Sequence, residues 1–148
     1  MEVQEMKISS KAFKNEGTIP AKYTCDGDEV SPPLHIEQIP QGTVTMALIA
    51  EDPDAPKGTF DHWLVWNIDP VSDIEEGGRP GISGKNGAGR TGYHGACPPA
   101  GSHRYYFYLF ALDTDLDLPA GASKQELQHA MEGHIIGQGS LMGTYQRN

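Results

Sequence analysis

The sequence predicts a mostly β fold in a single domain that spans residues 1–148. Eighteen glycines and eleven prolines favour many turns over a helical bundle. Between these turn residues lie short segments rich in β-branched and aromatic residues, which is the composition of strands. Apolar residues recur at helical spacing only near residues 123–133, so we expect few helices.

Three strands are predicted before residue 53. Residues 7–13 form a short first strand. The Pro-rich segment 31–36 enters a second strand, because a residue before proline is pushed toward extended backbone. The strongest prediction covers residues 43–52, which are apolar and β-branched. Alternation along this strand puts one set of side chains on a single face: Val44, Met46, Leu48, Ala50 and Asp52.

Two longer strands are predicted in the middle of the chain. Residues 61–70 and 103–113 have strand composition, and the second is the most aromatic segment of the sequence. Residues 71–92 contain seven glycines and little apolar periodicity, so we expect a long surface excursion between the two strands.

The last part of the chain predicts one helix and one strand. Ser123 and Glu126 have the spacing of a capping box, in which two side chains satisfy free N–H groups at a helix start. We therefore place the helix at about 123–133. Residues 135–145 form a final strand interrupted by glycines.

Composition narrows the classes of partner. A formal net charge of -9 argues against nucleic acid and anionic membrane surfaces. No run of about 18 apolar residues predicts a membrane span, and the polar, acidic N-terminus does not resemble a secretory signal. Cys25 and Cys97 are too few for a disulfide framework and lack metal-binding spacing. We therefore expect reduced thiols in a cytoplasmic protein.

The segment Tyr93–Tyr105 is the strongest candidate for the wall of a ligand site. Pro98 and Pro99 stiffen it, since proline fixes its own φ angle. Gly95 and Gly101 allow close approaches and unusual backbone angles. A stiff loop that leads into a buried strand is a common way to hold a small ligand against backbone amides.

Several titratable side chains near this loop are candidate site residues. Asp52 and Asp54 form either a paired-carboxylate acid/base unit or a turn in which both accept backbone hydrogen bonds. His62 is either a site residue or a half-buried histidine bonded to backbone. His103 and Tyr105 are two residues apart on a predicted strand and therefore share a face.

Three further interpretations have weaker support. A metal centre built from His62, His103 and an aspartate is chemically reasonable but lacks the usual ligand spacing. Cys97 as a nucleophile needs a nearby histidine and stands before two stiff prolines. Arg104 points away from His103 and is either in an ion pair or solvated. The remaining histidines have no neighbouring motif: His35, His94, His129 and His134.

Two blocks of the sequence carry a family resemblance. One is Asp52-Pro53-Asp54-Ala55-Pro56 with His62-Trp63, and the other runs from Gly95 through Cys97-Pro98-Pro99 to His103-Arg104-Tyr105. In order and spacing they resemble the signature blocks of the phosphatidylethanolamine-binding protein family. The segments 22–34 and 133–146 are similar to its compact bacterial and archaeal, Raf-kinase-inhibitor-like branch. The resemblance implies an antiparallel β-sandwich with a large central sheet, a smaller sheet and one or two short helices.

The resemblance also implies a pocket for a small anion such as phosphate or phosphoethanolamine. We expect neither a cofactor nor a metal there. Phe60 stands near the mouth of the pocket, and Ala55–Pro56 is a candidate for a cis peptide bond. Carried over to this sequence, the ligand-binding residues are Asp52, Asp54, His62, Cys97, Pro98, Pro99, His103 and Tyr105.

The expected function is non-catalytic binding of a small anion with a regulatory or inhibitory role. Because histidine titrates near pH 6.5, we expect the affinity to weaken above about pH 7. Inhibition of a kinase, protease or other hydrolase through a protein surface, such as the excursion 71–92, stays open. A phosphoester hydrolase that uses Asp52, His62 and His103 is a further alternative. The resemblance also allows a homodimer, with residues 135–145 as a candidate contact.

Overall fold

A computed structural model describes residues 2–147 of the chain. Within this range there are ten strands, one α-helix and one 3₁₀ turn at Ala21–Tyr23. The strands are β1 Gln4–Glu5, β2 Lys7–Ser9, β3 Gly17–Thr18, β4 Leu34–Glu37, β5 Thr45–Asp52, β6 Phe60–Ile68, β7 Asp73–Ile74, β8 Ile82–Ser83, β9 Ser102–Leu112 and β10 Ile135–Gln146, and the helix α1 is Lys124–Met131. The mostly β prediction is confirmed.

The strands form two sheets. The larger has the order β1-β10-β9-β5-β6-β8, and β3 also pairs with β10. Neighbours from β10 to β8 are antiparallel, whereas the two-residue strands β1 and β3 run parallel to β10. The smaller sheet has the order β2-β4-β7 and is antiparallel. The large sheet is therefore mixed at one edge and antiparallel at its centre.

Each face of the large sheet carries its own core. On one face, side chains of the smaller sheet such as Ile36 pack in one cluster with Leu48 and Leu109. On the other face, Leu127 and Met131 of α1 pack with Ile49, Leu64, Trp66 and their neighbours. Alternation along β5 and β9 supplies both cores from the same strands, because successive side chains point to opposite faces.

The predicted elements agree with the observed ones, with three adjustments. Ser123 accepts from the backbone of Glu126 in a complete capping box, as the spacing predicts. Val44 lies before β5 and is 51% exposed, so the inward face of this strand begins at Met46. The excursion 71–92 contributes the short strands β7 and β8 to the two sheets. The strand predicted at 7–13 is limited to the three residues of β2.

The expectation of reduced thiols is wrong. Cys25 and Cys97 form a disulfide with 5.4 Å between their Cα atoms. They stand 72 residues apart, and a parallel bridge between Thr24 and Ala96 brings the two backbones side by side. Sequence spacing carried no sign of this contact, because the contact is made by tertiary pairing of two loops.

The expectation of a cis bond at Ala55–Pro56 is also wrong, since every peptide bond among residues 2–147 is trans. The N–H of Gly58 donates to the carbonyl of Ala55 at 3.1 Å. Pro56 thus takes the second position of a four-residue turn, which a trans proline suits, whereas a cis proline occupies the third.

The segment 135–145 is an interior part of the large sheet. As β10 it pairs with β9 on one side and with β1 and β3 on the other. Its apolar side chains Ile136, Leu141 and Tyr145 are buried in the core. The homodimer stays a prediction, and this segment offers it few apolar groups. No helix in the described part of the chain is long and apolar enough to cross a bilayer.

Candidate functional site

A β-bulge in β6 directs His62 to the site. Ala50 pairs with Trp63, whereas the next residue of β5, Glu51, pairs with Asp61. The pairing thus skips His62. In a regular strand the side chain of His62 would point to the face opposite Trp63. A β-bulge interrupts this alternation at the extra residue and so re-aims its side chain. The His62 ring is buried and lines a cavity at the end of the sheet.

The pair Asp52–His103 forms a second part of this cavity. Nδ1 of His103 lies 2.7 Å from Oδ2 of Asp52, and the side chains are only 9% and 5% exposed. Because a carboxylate accepts hydrogen bonds, Nδ1 carries the proton of this bond. The bond fixes the ring and leaves Nε2 for the cavity. The other carboxylate oxygen accepts from the backbone N–H of Asp54 at 2.7 Å, so the turn interpretation holds for Asp52.

His62 is fixed in the same way by a backbone group. Its Nδ1 lies 2.7 Å from the carbonyl oxygen of His94, which can only accept. Burial lowers the pKa of His62, and the nearby His94 lowers it further. The hydrogen bond to the His94 carbonyl and the negative charges of Asp52 and Asp61 act in the opposite direction and raise the pKa of His62. In its neutral form His62 therefore presents an unprotonated Nε2, which is a hydrogen-bond acceptor.

Tyr105 places an unsatisfied hydroxyl at the cavity. The residue is 4% exposed, and its buried hydroxyl oxygen has no hydrogen-bond partner in the described part of the chain. Burial raises the pKa of Tyr105, and the nearby carboxylates of Asp52 and Asp54 raise it further, so the hydroxyl stays protonated and can donate. An unpaired buried hydroxyl costs roughly 1–3 kcal/mol. Such a group in a folded protein calls for a missing partner, such as a bound water or ligand.

Asp54 takes no part in this cavity. Arg104 donates to its two carboxylate oxygens from Nε at 2.9 Å and Nη2 at 2.8 Å, and the backbone N–H of Arg104 donates as well. The Arg104 hydrogen bonds lower the pKa of Asp54 to about 2. Of the two interpretations of Arg104, the ion pair is correct. The pair ties the loop after β5 to the start of β9.

The cavity measures about 200 Å³. It brings together seven of the eight residues predicted to bind a ligand, all except Asp54: Asp52, His62, Cys97, Pro98, Pro99, His103 and Tyr105. Ligand binding by these residues stays a prediction. His94 also lines the cavity although no motif pointed to it, and its ring lies 5.7 Å from that of His62 and 5.4 Å from that of Phe60. Its place directly before Gly95 was the only available signal.

Two glycines shape the loop that closes the cavity. A Cβ at Gly95 would lie 2.9 Å from the carbonyl oxygen of Tyr23 and 3.0 Å from Cα of Thr24. Only glycine lets these two backbones approach so closely. Gly101 has a φ of +73°, which other residues seldom adopt. The sulfur of Cys97 is bonded to Cys25, so Cys97 is not a free nucleophile in this state.

A second, larger groove of about 890 Å³ lies on the other side of the molecule, along β1 and the helix side of the large sheet. Among residues 2–147, no side-chain hydrogen bond orients the polar groups of Glu5, Gln128 and Ser140 in this groove. The smaller cavity is the better candidate, because convergent polar groups mark a binding site more reliably than volume. No cluster of three or more metal-ligating side chains occurs among residues 2–147.

Comparison with known proteins agrees with the fold and the sequence blocks. The family model described as phosphatidylethanolamine-binding protein matches residues 9–146. A UPF0098 protein of Pyrococcus horikoshii is 48% identical, over 99% of this chain and 79% of its own. A UPF0098 protein of Methanothermobacter thermautotrophicus is 45% identical, over 96% and 99%. The chain therefore belongs to the phosphatidylethanolamine-binding protein family.

Solved structures show the same architecture. A crystal structure from Chlamydia trachomatis, described as a homologue of the phosphatidylethanolamine-binding protein, superposes with a TM-score of 0.94 at 43% identity. It covers 98% of this chain and 99% of that one. Escherichia coli YbcL, described as a member of the mammalian family, gives 0.88 at 26% identity over 97% and 99%.

Proposed function

We propose that this protein binds a small oxyanion, either phosphate or a phosphoryl head group such as phosphoethanolamine, without turning it over. The observation that carries the proposal is the buried hydroxyl of Tyr105, which makes no hydrogen bond to residues 2–147 and lies at the cavity. A phosphate oxygen would satisfy it. Hydrogen bonds to an ionised acceptor are about twice as strong as neutral ones.

The two histidines would complete the recognition of the anion. Each holds its Nδ1 proton in a bond to the protein, His103 to Asp52 and His62 to a backbone carbonyl. Each Nε2 is therefore left to the ligand. A neutral His62 accepts a hydrogen bond from the O–H of a monoprotonated phosphate, whereas a protonated His62 donates one to a phosphate oxygen. The site suits an anion that has both acceptor oxygens and one O–H group.

The size and rim of the cavity favour a small ligand. A volume of about 200 Å³ is below the range of drug-sized pockets, which begins near 300 Å³. The rim is apolar at Phe60, Pro56 and Pro99. A phosphate with a short organic substituent fits this description, since the substituent would leave along the apolar rim.

Calorimetric titration tests the proposal. Wild-type protein is titrated with phosphate and with phosphoethanolamine at about pH 6, beside Tyr105→Phe. Loss of one hydrogen bond to a charged group lowers affinity by roughly 10- to 100-fold. The matched control is Tyr106→Phe, the next residue of β9, which points to the opposite face. Absence of binding by the wild type, or equal loss in both variants, would contradict the proposal.

The pH dependence of binding follows from His62. Because burial lowers its pKa, the protonated form is populated only below the ordinary histidine value of about 6.5. We therefore expect this histidine to strengthen anion binding as pH falls below 6.5, a lower window than the sequence suggested. Titrations at several pH values with wild type and His62→Gln would show whether the slope depends on His62.

The buried Asp52–His103 pair favours one second candidate, hydrolysis of a phosphoester. An imidazole oriented by a carboxylate can act as a general base toward water. The probe is p-nitrophenyl phosphate, with release of nitrophenol as the readout. Turnover that is abolished in His103→Gln would replace the binding proposal with the enzymatic one.

A regulatory role and a cytoplasmic location are the broader parts of the proposal. An anion site on a non-catalytic protein can report the level of a ligand or recognise a phosphorylated partner, such as a kinase or hydrolase, and the exposed excursion 71–92 offers a surface for one. The disulfide bears on the cytoplasmic location, because cytoplasmic thiols keep most cysteines reduced. There the Cys25–Cys97 bond would be open to reduction.

A further inference from the structure

The disulfide is part of the cavity wall. Cys97 lines the cavity with Pro98 and Pro99, and its sulfur is bonded to Cys25 in the turn that follows the 3₁₀ helix. Cys97 is an exposed residue and Cys25 is partly exposed. A covalent bond that reducing thiols can reach therefore holds one side of the anion site.

Hydrogen bonds secure the wall only up to Ala96. The carbonyl of Ala96 accepts from the N–H of Cys25 at 3.1 Å. Before it, the N–H of Gly95 donates to Glu29 at 3.0 Å, and the hydroxyl of Tyr93 donates to a backbone carbonyl at 2.7 Å. From residue 97 to residue 101, no backbone group hydrogen-bonds to any part of the described chain. The disulfide is the main tether of this stretch.

The surroundings of the bond favour exchange with thiols. Nη1 of Arg147 lies 3.7 Å from Sγ of Cys97. Arg147 is itself held by Asp26, with Nη2 3.1 Å from the carboxylate. A guanidinium beside a cysteine stabilises its thiolate. The reduced form of Cys97 would therefore be stabilised by a positive charge that is already in place.

We propose that Cys25–Cys97 is a site of thiol–disulfide exchange, and that its reduction by a dithiol releases the 97–101 wall and weakens anion binding. The weakening rests on the proposed anion function, whereas release of the wall does not. Asp52, His103 and Tyr105 lie on strands and keep their positions. Reduction would thus remove one side of the cavity and leave its polar groups intact.

The exchange step balances with the dithiol as reductant. One thiolate of the dithiol attacks Sγ of Cys25, and the bond to Cys97 breaks with Cys97 leaving as the thiolate that Arg147 stabilises. The second thiol of the reductant then attacks its own sulfur in the mixed disulfide and releases Cys25. Two electrons pass to the protein, the dithiol becomes a disulfide, and the two protons of the dithiol end on the cysteines or in solvent.

The test compares the full-length protein before and after treatment with dithiothreitol. Alkylation and mass spectrometry report the state of the two cysteines. Heteronuclear ¹H–¹⁵N NOE values at Cys97, Ala100 and Gly101, the wall residues that have an N–H, report backbone mobility, with β9 as an internal reference. Calorimetry with phosphate reports affinity. We expect reduction under native conditions, greater mobility in the wall with β9 unchanged, and an affinity lower by about tenfold, since ordering even one residue costs about that factor.

Two variants sharpen the comparison. Cys25→Ser/Cys97→Ser should bind phosphate with the affinity of the reduced wild type, and dithiothreitol should not change that affinity. Arg147→Gln keeps the disulfide and should be reduced more slowly. If the double variant fails to fold, the reduced wild type supplies the same comparison.

The outcomes separate the two proposals. A disulfide that is reduced only in urea, or a wall whose mobility does not change on reduction, overturns the redox proposal. Equal phosphate affinity in both states overturns the link to binding. If neither state binds phosphate, the anion function fails, and the NOE values at residues 97–101 still decide whether reduction releases the wall.

Discussion

Removing the disulfide should cost a large share of the stability of this protein. The perturbation is Cys25→Ser/Cys97→Ser, which leaves both positions small and polar. In the native state Thr24 and Ala96 stay paired by their backbone bridge, so the freedom gained there is limited to residues 97–101. The main effect is therefore on the unfolded chain, which gains freedom when the cross-link is lost.

The magnitude follows from the length of the closed loop. Cys25 and Cys97 are 72 residues apart. The loop-entropy relation then gives about 15 cal/mol/K, or about 4 kcal/mol at 25 °C. A protein of this size loses roughly 300 cal/mol/K on folding, so the melting temperature should fall by about 14 °C. Domains are typically stable by about 5–15 kcal/mol, so we expect the variant to stay folded near 25 °C.

Urea unfolding followed by tryptophan fluorescence measures this loss. Trp63 and Trp66 are both almost fully buried, so their emission reports the unfolding of the central sheet. Differential scanning calorimetry supplies the melting temperatures. The control is the wild type in dithiothreitol, which should approach the variant, while the variant itself should not respond to the reductant.

Two results would refute this reasoning. A loss below about 1 kcal/mol would mean that the unfolded chain is not substantially constrained by the bond. Complete unfolding at 25 °C would mean that the 97–101 wall supports the core as well as the cavity.

Two further predictions concern His62 and Gly95. Because the folded state lowers the pKa of His62, the unfolded state binds more protons below about pH 6.5, and stability should fall with pH in that window. Urea unfolding from about pH 7.5 to 5 should show a shallower decline in His62→Gln than in the wild type, and identical slopes would contradict the burial argument. Gly95→Ala should destabilise by about 1–3 kcal/mol, since its Cβ would meet backbone atoms of Tyr23 and Thr24. An unchanged urea midpoint would show that the two loops can separate without cost.

Local patterns in the sequence were sufficient for most of the fold. The β5 and β9 strands follow from apolar and aromatic runs between turn residues, and α1 follows from the Ser123 capping box. These signals act within one element, so they can be read without knowing its neighbours. The short strands β1, β3, β7 and β8 have two residues each and exist only because a partner strand is adjacent. No local pattern could have predicted them.

The candidate site likewise has features that the sequence predicts and features that only the tertiary structure sets. Sequence blocks predicted seven residues that line one cavity, and the i, i+2 spacing of His103 and Tyr105 was enough to put them on one face. Only the tertiary structure decided their roles: the bulge that redirects His62, the ion pair that takes Asp54 out of the cavity, and the ring of His94 beside it. The Cys25–Cys97 disulfide is another feature that only the tertiary structure shows. All depend on contacts between residues far apart in the chain, and such contacts are set by packing and strand register, which no single segment of the sequence specifies.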